Sequence, residues 1–323
     1  LNHKILYCIL NWGLGHASRS IPIISNLIEE GRQVEIASDG LPLKLLQNAF
    51  PNLPCHSLPS YDIKYTYNSI AANILSQSFK ILRAIKTETK VIGKLVSDHH
   101  FTQIISDNRF GCYHPSCNNI FISHQLRLIH PNPFIQASAT RLNLSLINKF
   151  DECWVPDSPD SSLSGMMSSN SRAQIPINFI GAQSRFSQIV DEEVLNFNSC
   201  AILSGPEPQR SIFEKKIAEQ VSMIEGKHVI ITGIQRKQEV AGNITYFGIL
   251  NADEISQLIQ KSKNIISRSG YSSLMDYQAM GRKAILVPTP GQTEQVYLGS
   301  LASALGRHIV LKQENLDLTK VLT

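Results

Sequence analysis

Short, continuously apolar runs alternate along this chain with longer runs whose apolar residues recur at helical spacing. Ile5-Leu6-Tyr7-Cys8-Ile9-Leu10 is apolar throughout and stops at Asn11, which predicts a strand buried on both faces. Ile21, Ile23, Ile24, Leu27 and Ile28 then mark one helix face up to Gly31, and Val34-Glu35-Ile36-Ala37 predicts the next strand. Further strands are expected at 55–58, 103–106, 120–122 and 152–155, with helix or loop between 42 and 94. The rhythm restarts with a strand at 201–204, a helix from Ser211, and strands at 228–233 and 244–247. It continues with Asn264-Ile265-Ile266, a helix from Tyr271 to Met280 closed by Gly281, a strand at 284–287, a polar loop, a new helix and a last strand at 308–311. Repeated strand, helix, strand units predict α/β architecture with mainly parallel sheets covered by helices.

Two such series in 323 residues predict two Rossmann-like domains. The Ser-rich stretch from Ser158 to Ser171 has linker composition, and Asn178-Phe179-Ile180-Gly181 reads as an interdomain strand and hinge. The expected domains are residues 1–180 and 181–323.

Composition narrows the class. A chain that is 42% hydrophobic and 17% charged is globular and folded rather than disordered. No run approaches the ~18–20 apolar residues of a membrane span. The N-terminus enters the first strand directly, with no basic region or cleavage site, so no signal peptide is read. The six cysteines, Cys8, Cys55, Cys112, Cys117, Cys153 and Cys200, are scattered without metal-binding spacing, as expected of reduced thiols in a cytoplasmic protein. A formal charge of +4 permits peripheral contact with the inner face of a membrane or with phosphorylated substrates. No basic run with interleaved aromatics occurs, so nucleic acid is not an expected partner.

Candidate chemistry lies where strands end, the rim on which parallel sheets bind ligands. Gly13-Leu14-Gly15 follows the first strand and leads into His16. The turn lacks the third glycine of a dinucleotide fingerprint, and the histidine is its informative feature. An imidazole titrates near neutral pH and suits general-base work, although a ring there can also simply bond nearby backbone. Asp107 follows the strand at 103–106 and can orient an imidazole; Arg109 can hold an anion. Ser123-His124-Gln125 follows the strand at 120–122 in the same way. Arg109, His124 and Gln125 are therefore acceptor-side candidates, or loop-capping groups. Ser269-Gly270 opens a helix whose free N–H groups suit a phosphate.

The ordered set Ser269-Gly270, Asp276, Val287-Pro288 and Glu294-Gln295 resembles the donor-binding half of GT-B glycosyltransferases, above all the MurG-type, family 28 enzymes. The resemblance implies a GT-B fold, two domains facing a cleft, and transfer of a sugar from a UDP-sugar to an acceptor hydroxyl. Asp276 stands where the family has a Glu that binds the ribose hydroxyls. Gln295, beside Glu294, stands where the family contacts sugar hydroxyls. The segment from Gly205 to Arg210 matches the loop beside the diphosphate, and the region of Phe247 and Leu250 matches the uracil cradle. Gly15, Ser269 and Gly270 are expected near phosphates. His16 is the expected base with Asp107 beside it, and one base with direct displacement implies inversion. No Asp-x-Asp motif occurs, so neither a catalytic metal nor a cofactor beyond the donor is expected. The aromatic segment from Tyr61 to Tyr67 lies where such enzymes shape the acceptor site, for a glycan or a lipid-linked acceptor. The family usually ends in a helix crossing back to the first domain, for which Lys320 to Thr323 is too short. Two other readings are a UDP-sugar epimerase of the same fold and a non-catalytic nucleotide-sugar-binding protein.

Overall fold

The computed structural model describes residues 4–62, 77–160, 162–169, 172–186 and 195–322. Ile63 to Tyr67 of the aromatic segment, and Ser161, Asn170 and Ser171 of the Ser-rich stretch, lie outside the described residues. The chain divides into two compact units, Leu1–Arg185 and Phe186–Thr323.

The first unit is a sheet of seven parallel strands: β1 (Lys4–Ile9), β2 (Gln33–Ser38), β3 (Cys55–Ser57), β4 (Gln103–Asp107), β5 (Asn118–Ile122), β6 (Glu152–Val155) and β7 (Ile177–Phe179). Their order is β3-β2-β1-β4-β5-β6-β7. The residues read as a hinge thus supply β7, the edge strand paired with β6. Alternation along β1 sorts the core. Ile5, Tyr7 and Ile9 face α1 (Gly15–Glu29) and α2 (Gly40–Ala49), while Leu6 and Cys8 face Ile92 and Val96 of α3 (Ser78–His99). α4 (Pro133–Ile147) begins with Asn132 capping two backbone N–H groups and Pro133 in its first turn, and packs Leu144 and Ile147 onto Phe121.

The second unit repeats the plan with β8 (Phe197–Ile202), β9 (His228–Ile231), β10 (Glu239–Ala241), β11 (Ile244–Phe247), β12 (Ser262–Ser267), β13 (Ile285–Leu286) and β14 (Ile309–Val310). The order is β10-β11-β9-β8-β12-β13-β14, parallel except for the edge pair β10 and β11. Phe213, Ile217 and Val221 of α5 (Gln209–Val221) cover one face, against Ala201, Ile230, Ile266 and Ile285. Ile255 and Leu258 of α6 (Ala252–Gln260) cover the other. α7 (Tyr271–Ala279) and α8 (Thr293–Ala304) follow β12 and β13. Gly281, at φ +65°, takes the left-handed turn that ends α7, as its sequence position predicts.

In each sheet the strand order reverses once, between β1 and β4 and between β8 and β12. A crevice opens at such a switch point, because the crossovers leave it in opposite directions. The two switch points hold most of the candidate residues.

All six cysteines are free thiols. Among the described residues, no helix is long and apolar enough to cross a membrane.

Candidate active site

At the switch point of the first sheet, the register sets Ile9 beside Asp107, so the end of β4 lies next to the turn leaving β1. That turn uses Gly13 at φ +78° and opens α1 with no side-chain cap, leaving its first N–H groups to other partners. His16, in the first turn of α1, places Nδ1 2.8 Å from Asp107 Oδ1. Sequence reasoning paired these two residues; the structure adds a third. Arg19, one helical turn after His16, donates from Nε to Asp107 Oδ2 at 2.7 Å and from Nη2 to Oδ1. The signal was an Arg three residues after the His, on the same helix face. Asp107 is wholly buried. Burial pushes its carboxyl up, but Arg19 and then His16 outweigh that and hold it well below the usual carboxylate range.

This geometry selects the tautomer of His16. Nδ1 lies 3.0 Å from Arg19 Nη2 as well as 2.8 Å from Asp107. Arg19 already spends Nη2 on the carboxylate, and a carboxylate oxygen can only accept. With the proton on Nδ1 the ring donates to Asp107 Oδ1, whereas a bare Nδ1 would set two acceptors face to face at 2.8 Å. Nε2 then carries the lone pair and can take a proton from a hydroxyl. The His16 side chain is 18% exposed, enough for one ring nitrogen to reach solvent while the other is held.

The other first-unit candidates divide. Arg109 has a different job from the one the sequence suggested. It is fully buried, with Nε on Glu88, Nη1 on Asp39 at 3.0 Å and on the Ile9 carbonyl at 3.1 Å, and Nη2 on the Pro59 carbonyl. Burial works against its charge, but Glu88 beside it raises its pKa and holds it protonated. Tyr61 and the Gly111 N–H donate to the same Glu88, each at 2.9 Å. The cluster braces the rim from inside and does not present a cation to an acceptor. It also fixes Asn11, which donates to Asp39 at 2.9 Å. Gly40 leaves room for that bond, since a Cβ there would sit 2.4 Å from Asn11 Nδ2. His124 is enclosed after β5. Gln125 is half-buried, and its carbonyl accepts from Asn143 at 2.7 Å.

In the second unit the candidates gather after β12 and β13. Ser269 is buried and donates to the Gln295 carbonyl at 2.7 Å, while the Gln295 side chain accepts from the Thr289 N–H at 2.9 Å. These bonds bring the Ser269-Gly270 turn, the loop after β13 and the start of α8 together. Gly270 is the N-cap of α7 and makes no side-chain bond to its first turn. Asp276 is half-buried one turn along α7, and Glu294 half-buried in the first turn of α8. Phe247 and Leu250 pack on the core under β11, where Gly248 lies so close to the 234–236 backbone that a Cβ would meet the Arg236 carbonyl at 2.3 Å. Gly205, at φ +103°, turns the exposed loop after β8. Arg210 again departs from the sequence reading. Glu207 at 2.6 Å and Glu214 at 2.8 Å neutralise it, so it adds no free charge to the loop.

Among the described residues, one group has metal-ligand character: Glu35, His56 and His99, with ligating atoms within 4.8 Å of one another. It lies where β1 begins, at the other end of that strand from His16. Lys4 at 2.7 Å and His56 at 2.5 Å bond the Glu35 carboxylate and tie the group together.

Comparison with known proteins places this geometry. Residues 206–323 match the C-terminal domain of glycosyltransferase family 28. Among solved structures, MurG of Acinetobacter baumannii superposes with a TM-score of 0.59 at 14% identity, covering 100% of this chain and 89% of that one. Arabidopsis thaliana UGT89C1, complexed with UDP-L-rhamnose, gives 0.65 at 11% identity, covering 100% and 88%. The spinosyn rhamnosyltransferase SpnG, complexed with thymidine diphosphate, gives 0.64 at 12% identity, covering 95% and 86%. No curated protein sequence matches the chain. At these identities the superpositions show the fold, which is GT-B, and the family 28 match covers residues 206–323 alone. That match spans the segment holding Ser269-Gly270, Asp276 and Glu294-Gln295, the set that carried the resemblance.

Proposed function

We propose that this glycosyltransferase moves a sugar from a UDP-sugar to an acceptor hydroxyl, with inversion and without a catalytic metal. The contact of His16 with Asp107 at the first switch point carries this reading. The match of residues 206–323 to a family 28 domain supports the donor side. Asp276 takes the ribose hydroxyls, Gln295 and Glu294 the sugar, and the N–H groups at Gly270 the diphosphate. His16 Nε2 removes the acceptor proton as the acceptor oxygen bonds to the anomeric carbon. The bond from that carbon to the diphosphate oxygen breaks, and UDP leaves with the electron pair. Asp107 stabilises the imidazolium so formed, and Arg19 keeps Asp107 ionised. A glycan or lipid-linked acceptor, met at the inner face of a membrane, fits the chain's mild positive charge.

The experiment is a panel of UDP-, GDP- and TDP-sugars incubated with the full chain, with and without a chelator, reading nucleoside diphosphate release. The expected result is turnover confined to UDP-sugars and indifferent to the chelator. Release from GDP- or TDP-sugars instead would overturn the donor assignment, and loss with chelator would overturn metal independence.

A further inference from the structure

Arg268 directly follows the end of β12 and precedes the Ser269-Gly270 turn, and its side chain is wholly buried. Nη1 donates to the carbonyls of Val287 at 3.1 Å and Pro288 at 3.4 Å, and Nη2 to the carbonyl of Gln209 at 3.0 Å. The guanidinium carbon lies 3.9 Å from the centre of the Phe213 ring. Every one of these partners is neutral. Nε is buried with no partner, and among the described residues no carboxylate pairs with the guanidinium. Glu207 and Glu214, on or beside the helix that Arg268 touches, are engaged by Arg210.

A charge taken out of water without a counter-charge is costly, and folds normally pair it. Here burial alone acts on the group and lowers its pKa to about 10, so it remains a cation at neutral pH. Its position adds to the asymmetry. The segments it joins are the start of α5, the loop after β13, and its own turn into α7. Gly270 before α7 has no side chain to cap its helix, so the positive end of α7 shares this rim with the buried cation, while Glu207 accepts from the Ser211 N–H at the start of α5. Positive potential focused at one strand-end rim is complementary to an anion.

We propose that Arg268 is a positioning residue whose buried charge is balanced by the diphosphate of the bound nucleotide, so that the second unit prefers a nucleoside diphosphate to the bare nucleoside. This rests on the donor reading above. It assigns the preference for phosphate to a side chain beneath the surface, with Phe213 and the carbonyls of Val287, Pro288 and Gln209 fixing its direction. Arg210 is also buried, but Glu207 and Glu214 neutralise it, so it contributes little.

The test is calorimetric titration of uridine, UMP and UDP into the full wild-type chain, Arg268→Gln and Arg268→Met. The methionine variant keeps an unbranched stem against Phe213, so a folded charge-deleted protein is available if the glutamine variant is unstable. Wild type should bind UDP more tightly than uridine. In the variants the ratio of UDP to uridine affinity should fall about tenfold, the scale of one charge-assisted interaction, with uridine affinity unchanged. An unchanged ratio in a folded variant overturns the inference and leaves the donor reading intact. Equal losses for uridine and UDP make Arg268 a structural brace and also overturn it. Wild-type protein that binds none of the three nucleotides removes the donor reading, and the inference with it.

Discussion

Arg109 and Arg268 are the largest side chains that the described fold buries completely, one in each unit. Each lies just after a central strand at a switch point, and their surroundings are opposite. Arg109 meets Glu88 and Asp39, and Tyr61 stacks beside it with its ring centre 5.5 Å away. Nearby, Asp107 is matched by Arg19 and His16. Charge at the first rim is closed among its own side chains. Arg268 meets carbonyls and a phenyl ring, and its charge stays open. A closed network holds one imidazole in one tautomer, which is what proton transfer requires. On the inference drawn above, a diphosphate balances the open cation. The two units thus differ in whether a buried arginine at the switch point meets a counter-charge.

The largest effect should come from breaking the closed network at its reactive end. His16→Ala should reduce transfer by about 10²–10⁴-fold, the usual contribution of a general base. Steady-state rates at saturating donor read this directly, and near-wild-type turnover would remove His16 from the mechanism.

Next is the contrast between the arginines as a difference in stability. Arg109→Met leaves Glu88 and Asp39 buried without their partner and should cost about 3–5 kcal/mol. Arg268→Met orphans no carboxylate, only carbonyl acceptors, and should cost about 1–3 kcal/mol. Urea unfolding of both variants measures the two values. Equal losses would mean that the counter-charges do not distinguish the two sites.

A smaller effect is expected in the acid range. The folded pKa of Asp107 is depressed, so its contribution is fully present above its unfolded value, about pH 4, and is lost as pH falls through the folded value. Unfolding free energy should therefore decline as pH drops below about 4, and Asp107→Asn should flatten part of that decline. A variant with the wild-type slope would show that Arg19 and His16 do not hold the carboxylate as described.

The sequence revealed different amounts of these two rims. Strand positions were legible because each core run is short, apolar and punctuated, as at Ile5 to Leu10 and Ile244 to Phe247. His16 was legible because a Gly-x-Gly turn announces a helix start, and Asp107 because it follows a strand. Arg109 and Arg210 were read as ligand contacts because both stand on strand-end loops. Arg210's carboxylate partners, Glu207 and Glu214, stand within one helical turn on either side and were overlooked, whereas Arg109's come from elsewhere, Glu88 21 residues upstream and Asp39 70. Arg19 was passed over for the same reason, since its partner Asp107 is 88 residues away. Arg268 sat inside the motif that carried the family resemblance, yet its lack of a carboxylate becomes visible only when every neighbour is known. Local pattern reports elements and turns; charge compensation at Arg19 and Arg109 is tertiary.

The division of labour between the units is tested most directly by one calorimetric series, UDP titrated into the full wild-type chain, His16→Ala and Asp276→Ala. The account predicts that His16→Ala binds UDP as wild type does. Asp276→Ala, having lost the carboxylate expected on the ribose hydroxyls, should bind more weakly by about 1–3 kcal/mol. The opposite pattern, with UDP lost from His16→Ala and kept by a folded Asp276→Ala, would contradict it.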